Sequence, residues 1–118
     1  MSRAEFIQHG GCRILRLDMS GLSTDEFLDE YRKAMRLLVA EPELSVRLLT
    51  IPPDHFDERV ANDVRQWAPK KAKHVLAEAM LRASTLHKLL FLGNKAKYRL
   101  DREVFDDEQA AKDWLASR

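Results

Sequence analysis

The stretch Arg13-Ile14-Leu15-Arg16-Leu17-Asp18-Met19 constrains the fold of this chain more than any other. Leu15, Leu17 and Met19 alternate with Arg16 and Asp18, the period-2 pattern of a strand with one better-buried face. Ser20-Gly21-Leu22 turns the chain, and Ser23-Thr24-Asp25-Glu26 opens an amphipathic helix. The same strand-then-helix order repeats downstream, so the expected fold class is α/β.

Before that stretch, Glu5-Phe6-Ile7-Gln8-His9 reads as a short strand, and Gly10-Gly11 suits a tight hairpin because glycine takes positive φ freely. The first helix is expected from Thr24 to Glu41. Ser23 and Glu26 have capping-box spacing, Phe27, Tyr31, Ala34, Met35 and Leu38 form the apolar face, and Pro42 ends the helix. Val46 to Ile51 is the next strand, stopped by Pro52-Pro53. Asp54 or Asp57 caps a second helix with an inner face of Val60, Val64 and Trp67, interrupted at Pro69. Lys70 to Leu81 stays open: its composition favours helix locally, while His74-Val75-Leu76-Ala77 equally suits a buried strand. Ser84 or Thr85 caps a third helix through Lys95, with Gly93-Asn94 as its stop and Leu86, Leu89 and Leu90 facing inward. Tyr98-Arg99-Leu100 and Val104-Phe105 read as a final strand or extended segment. Asp106-Asp107-Glu108 starts the last helix, with Ala111, Trp114 and Leu115 facing in.

With 118 residues, 45% of them hydrophobic and 33% charged, one domain spanning 1–118 and one real core are expected. No apolar run approaches the roughly 20 residues that span a bilayer. Met1-Ser2-Arg3-Ala4-Glu5 lacks an apolar signal core, so a cytoplasmic location is expected. The lone Cys12 rules out an intramolecular disulfide, fits a reducing compartment, and reads as a small buried apolar residue. The net charge of +1 conceals an asymmetry: residues 65–102 carry +8 and the rest −7. Folding either gathers that window into a positive face or intermixes the two halves.

In this order of elements the chain resembles the small bacterial SpoIIAA-like proteins of the STAS (sulfate-transporter and anti-sigma-antagonist) fold. The resemblance rests on Arg13 to Ser23 with the helix that follows, and on Val104-Phe105-Asp106-Asp107-Glu108-Gln109-Ala110-Ala111-Lys112-Asp113-Trp114-Leu115. It implies a mixed four- or five-stranded sheet with about four helices, mainly on one face, and a strand from His74 to about Met80. Typical members carry a phosphorylatable Ser or Thr, usually after Asp, at the start of the helix following the second long strand. Here that place reads Thr50-Ile51-Pro52-Pro53-Asp54-His55-Phe56, with no hydroxyl at the helix start, so the phospho-switch is not expected. The likeness of this group to CRAL-TRIO lipid carriers implies an apolar ligand.

Most of the reactive residue types have a structural reading. Asp25-Glu26, Asp57-Glu58 and Asp106-Asp107-Glu108 fall in first helical turns, where they offset exposed N–H groups and the helix dipole; Asp29-Glu30 points its carboxylates about 100° apart. His9, His55, His74 and His87 lack metal-ligand spacing, so no metal and no cofactor is expected. Ser84 and Thr85 near His87 lack an acidic orienter, and His55 beside Asp54 is the best general-base candidate, with a plain loop histidine as the alternative. No catalytic residue is assigned, and no enzyme is expected.

The candidate partner surface is basic. Lys88, Phe91 and Lys95 share one helix face, and Lys70, Lys71 and Lys73 follow the second helix. An exposed Phe91 between lysines suits an anionic membrane or an apolar partner pocket; the alternative packs Phe91 under the C-terminal segment or in a homodimer. Lys70-Lys71-Ala72-Lys73 has no interleaved aromatic to stack on bases, so nucleic acid is not an expected partner. The expected function is a regulatory or interaction module binding a protein or membrane partner. The alternative is a carrier or sensor of a small apolar or amphiphilic ligand.

Overall fold

The computed structural model describes residues 3–98 and 100–118, and all of their side chains except those of residues 90, 94 and 96. The elements run β1 (Ala4–His9), β2 (Cys12–Asp18), α1 (Thr24–Val39), β3 (Val46–Ile51), α2 (Glu58–His74), β4 (Val75–Leu81), α3 (Thr85–Tyr98), β5 (Arg102–Phe105) and α4 (Glu108–Ala116). The five strands form one sheet in the order β1-β2-β3-β4-β5. Gly10 and Gly11 hold φ at 57° and 78°, which lets β1 turn straight back as an antiparallel edge on β2. The other pairings are parallel. Each parallel step needs a crossover, and α1, α2 and α3 supply them.

The alternation in the β2 sequence sorts the two faces. Leu15, Leu17 and Met19 are buried with Leu48 against Phe27, Tyr31, Met35 and Leu38 of α1 and Val60 of α2. Ile14, Leu49, Ile51, Ala77, Ala79 and Leu81 point to the other face, where Ala111 and Leu115 of α4 cover them. Arg16 fixes α4 there: its Nε and Nη2 donate to the two carboxylate oxygens of Glu108, each at 3.0 Å. That bidentate bond is the main reason the Glu108 carboxyl is held down to about 2. At the start of α1 the capping box is present in both directions, Ser23 accepting from Glu26 N–H and Glu26 accepting from Ser23 N–H. Asp57, rather than Asp54, caps α2, and Asp107 caps α4.

Three sequence expectations fail at helix ends. The first helix stops at Val39, short of Glu41. The second does not break at Pro69 but runs unbroken to His74. A proline there cannot bond the carbonyl four residues back, that of Arg65, and costs about 3 kcal/mol relative to alanine in a free helix. Tertiary contacts hold the last turn instead. The N–H groups of Leu44 and Ser45 satisfy the carbonyls of Lys73 and His74, while the helix's own cap bond from Val75 N–H satisfies that of Lys71. Likewise α3 passes through Gly93 to Tyr98, because one glycine costs only about 1 kcal/mol in a helix. Tyr98 therefore ends a helix, not a strand, Arg99 lies outside the described residues, and the last strand is Arg102–Phe105.

If tertiary contacts carry α2 across Pro69, then Pro69→Ala should keep the fold and raise stability. The expected gain is about 1 kcal/mol or more, read as a higher urea midpoint at unchanged slope. A lower midpoint would mean that the proline shapes the helix the core requires.

Candidate functional site

The inner stripe of α2 does not end where its apolar residues end. Val60, Val64 and Trp67 are spaced by four and three, and the next position on that face is Lys71. Lys71 is buried. Its Nζ donates to Glu78 Oε2 at 2.8 Å, across a helix-to-strand junction with no intervening loop. Glu78 sits mid-strand in β4 with an exposure of 0%. The parallel register sets Leu48 on one side of it and Arg102 on the other. Arg102 is also buried, and its Nη2 lies 2.9 Å from Glu78 Oε1. Thr50 Oγ1 donates to Glu78 Oε2 at 3.0 Å. One carboxylate thus ties together α2, β3, β4 and β5.

Burial by itself would push the Glu78 carboxyl up. The charges of Lys71 and Arg102, with the hydrogen bonds from Lys71 and Thr50, outweigh it and hold the group below the usual carboxylate range. For the Lys71 ammonium burial is the largest influence and lowers it, and the charge of Glu78 restores part. Three formal charges in one desolvated cluster leave a surplus of one positive charge.

That cluster lines a cavity of about 80 Å³ walled by Phe56, Val64, Ala68, Met80 and Phe91, with His87 at its side. A second lobe of about 60 Å³ shares Phe56, Val64, Lys71, Met80 and His87 and extends toward Tyr31 and Thr50. Around these lobes the Tyr31 hydroxyl, His87 Nε2, Arg102 Nε and Glu78 Oε1 are buried without a hydrogen-bond partner, Glu78 Oε1 meeting Arg102 as an ion pair only. Burial raises the Tyr31 hydroxyl and lowers the His87 imidazole. A wider, more polar cleft of about 280 Å³ opens over the ends of β3 and β4, lined by Ser20, Asp54, Arg82, Ser84 and His87 among others.

The expected basic surface is only partly assembled. Lys88, Lys70 and Lys73 are exposed, Lys70 over the Trp67 ring at 5.2 Å and Lys73 3.4 Å from Glu43. Lys95 pairs loosely with Glu103 at 3.5 Å. Lys71 is no surface group, because it balances Glu78 in the interior. Phe91 is not exposed either: it is buried, with the Arg102 guanidinium 4.3 Å from its ring centre and Arg102 Nη1 donating to its carbonyl. The face of α3 is therefore reversed. His87 and Phe91 point in, Leu86 and Leu89 point out, and the side chain of Leu90 lies outside those described. His87 packs edge-on against Phe56, with ring centroids 4.9 Å apart.

The other reactive candidates take structural places. Ser84 caps α3 through His87 N–H. Asp54 accepts from Gly21 N–H, and His55 beside it is exposed. Thr50 is buried against Glu78, so a phosphate there would place a dianion beside a carboxylate. Cys12 is half-buried, its thiol toward the Ala116 carbonyl at 3.6 Å. Among the described residues no group of three or more His, Cys, Asp or Glu side chains is placed to hold a metal ion, and no helix is long and apolar enough to cross a membrane.

The mixed five-stranded sheet with four helices is the SpoIIAA-like α/β fold. Among solved structures the chain is similar to an uncharacterized protein of the DUF3478 family with a SpoIIAA-like fold from Shewanella loihica PV-4. The two are 14% identical over 95% of this chain and 91% of that one, with a TM-score of 0.65, a likeness of fold. No protein-family model matches the chain, and neither does any curated protein.

Glu78→Gln should be among the most damaging single substitutions, because it leaves two buried cations without their counter-charge. The expected loss is about 3–5 kcal/mol, whereas Lys71→Met, Glu78→Leu and Arg102→Met together should recover most of it. Urea unfolding of both variants checks this. A Glu78→Gln protein as stable as the parent would contradict the ion cluster.

Proposed function

We propose that the chain is a non-enzymatic interaction module that docks on an anionic membrane surface through the outer face of α3. The observation that carries this reading is a set of leucines left in solvent: Leu86 is 54% exposed, Leu89 68% and Leu92 42%. They lie on the side of α3 opposite His87 and Phe91, with Lys88 among them. The helix contains Lys88, Lys95 and Lys97 and no acidic residue, which favours a negative surface over a neutral one. A cytoplasmic location belongs to the same reading, supported by the lone cysteine. The absence of catalysis is supported by the structural employment of Ser84 as a cap and Asp54 as a loop acceptor.

The magnitudes are modest. Partial burial of three leucines at about 1 kcal/mol each, with about 1 kcal/mol for each of two lysines near the lipid, gives roughly 5 kcal/mol. That corresponds to sub-millimolar binding. A second reading, a carrier or sensor of a small amphiphilic ligand, is favoured by the cavity beside Lys71 and Arg102. Its volume falls well below the roughly 300 Å³ of ordinary ligand clefts, which argues against a whole lipid in this conformation.

Sedimentation with anionic and neutral vesicles tests the docking. Binding to anionic vesicles that weakens at physiological salt is expected, with Leu86→Ser/Leu89→Ser reducing it roughly tenfold or more while the fold stays intact. Equal binding to both vesicle types, or none at low salt, would overturn the membrane assignment; capture of an acidic protein by the same face instead would transfer it to a protein partner.

A further inference from the structure

We propose that the cavity between α2, α3 and the sheet is a binding site for a small monocarboxylate with a short apolar body. This deepens the small-ligand reading above and uses the inner face of α3, not the leucines of its outer face.

The argument starts from hydrogen-bonding capacity. A buried polar group without a partner forfeits about 1–3 kcal/mol, so natural interiors hold few of them. Here Tyr31 Oη, His87 Nε2 and Arg102 Nε are all orphaned around two adjoining lobes. Arg102 Nε–H is an obligatory donor and Tyr31 O–H a ready one, while the imidazole donates from Nε2 in one tautomer. Lys71 Nζ, a triple donor, meets one acceptor in Glu78. The one orphaned acceptor of the cluster, Glu78 Oε1, already faces Arg102 Nη2 at 2.9 Å, so the remaining donors outnumber it and the site lacks a further acceptor with several lone pairs.

Charge narrows the class. Lys71 and Arg102 against Glu78 leave one positive charge unmatched in the interior. A monoanion neutralises that surplus; a phosphate dianion would overshoot it. Glu78 has a second part in this arrangement, since it keeps the two cations in place when the site is empty. The walls supply the rest of the specificity. Phe56, Val64, Ala68, Met80 and Phe91 offer apolar contact and no further acceptor side chain. Size sets the upper bound: a dry cavity of about 150 Å³ admits benzene, and neither the lobe of about 80 Å³ nor that of about 60 Å³ exceeds it. A carboxylate with a three- to five-carbon body fits the requirement, and a long-chain fatty acid does not.

Isothermal titration of the full chain with sodium isovalerate tests the assignment, with isovaleramide as the neutral isostere. Saturable binding of isovalerate in the millimolar range or tighter is expected, with the amide at least roughly tenfold weaker. Lys71→Met should abolish carboxylate binding, but it also disturbs the buried ion cluster. Ala68→Leu fills the cavity from α2 without touching a charge, and it should lose the binding while keeping the urea midpoint of the parent. No isovalerate binding, equal binding of the amide, or full binding by Ala68→Leu would each overturn the proposal. Native mass spectrometry separates it from the broader reading: a bound neutral compound in protein from its host would retain a small-ligand carrier and remove the carboxylate.

Discussion

The structure depends on the pairing of one buried carboxylate with two buried cations. Glu78 cannot stand alone in the middle of β4, because an isolated carboxylate in the interior costs several kcal/mol. It is met by Lys71 from α2, Arg102 from β5 and the Thr50 hydroxyl from β3. Such a cluster adds little net stability compared with a well-packed apolar one. Its effect is on the alternatives. Slipping β4 by one residue would turn Glu78 to the α4 side, against Leu49, Ile51 and Leu115, and leave both cations unpaired. Register, the last turn of α2 and the position of β5 are all fixed by the same three charges.

The cluster also explains why α2 tolerates its proline. The turn after Pro69 carries Lys71, and losing that turn would withdraw the counter-charge from Glu78. The same residues then form the polar side of the cavity, whose apolar side comes from α2, α3 and Phe56. The side chains that fix the strand register thus also line the cavity. The two faces of α3 divide the remaining work: His87 and Phe91 close the cavity, and the exposed leucines face outward with Lys88.

Much of the fold was legible in the sequence. The alternation at 13–19, the Ser23–Glu26 capping box, the Gly10-Gly11 turn and the α1 stripe all describe local physics, and each stands where it was read. The strand over 75–81 was not decidable from periodicity, because its residues are buried toward both faces and so lack alternation; the family resemblance supplied it. The site was missed for a related reason. Lys71 continues the 60-64-67 stripe, but an interruption at Pro69 takes it off that helix face and puts it with Lys70 and Lys73 in the expected basic surface. Glu78, an acid inside an apolar run, was the available signal for a buried pair. On α3 the leucine pattern points to the wrong face: among its described side chains His87 and Phe91 are the buried ones, and Leu86, Leu89 and Leu92 face solvent.

The central claim, that Glu78 is an ionised group held by two cations, is open to direct measurement by carbon-13 NMR of its side-chain carboxyl across an acid titration. Its folded value is lowered, so its contribution to stability is present above the ordinary carboxylate range and is lost as pH falls through the lowered value. The predicted result is a carboxylate chemical shift that persists below pH 4.5, the ordinary value for Glu, for as long as the protein remains folded. A Glu78 resonance that titrates at or above that ordinary value in the folded protein would contradict the account.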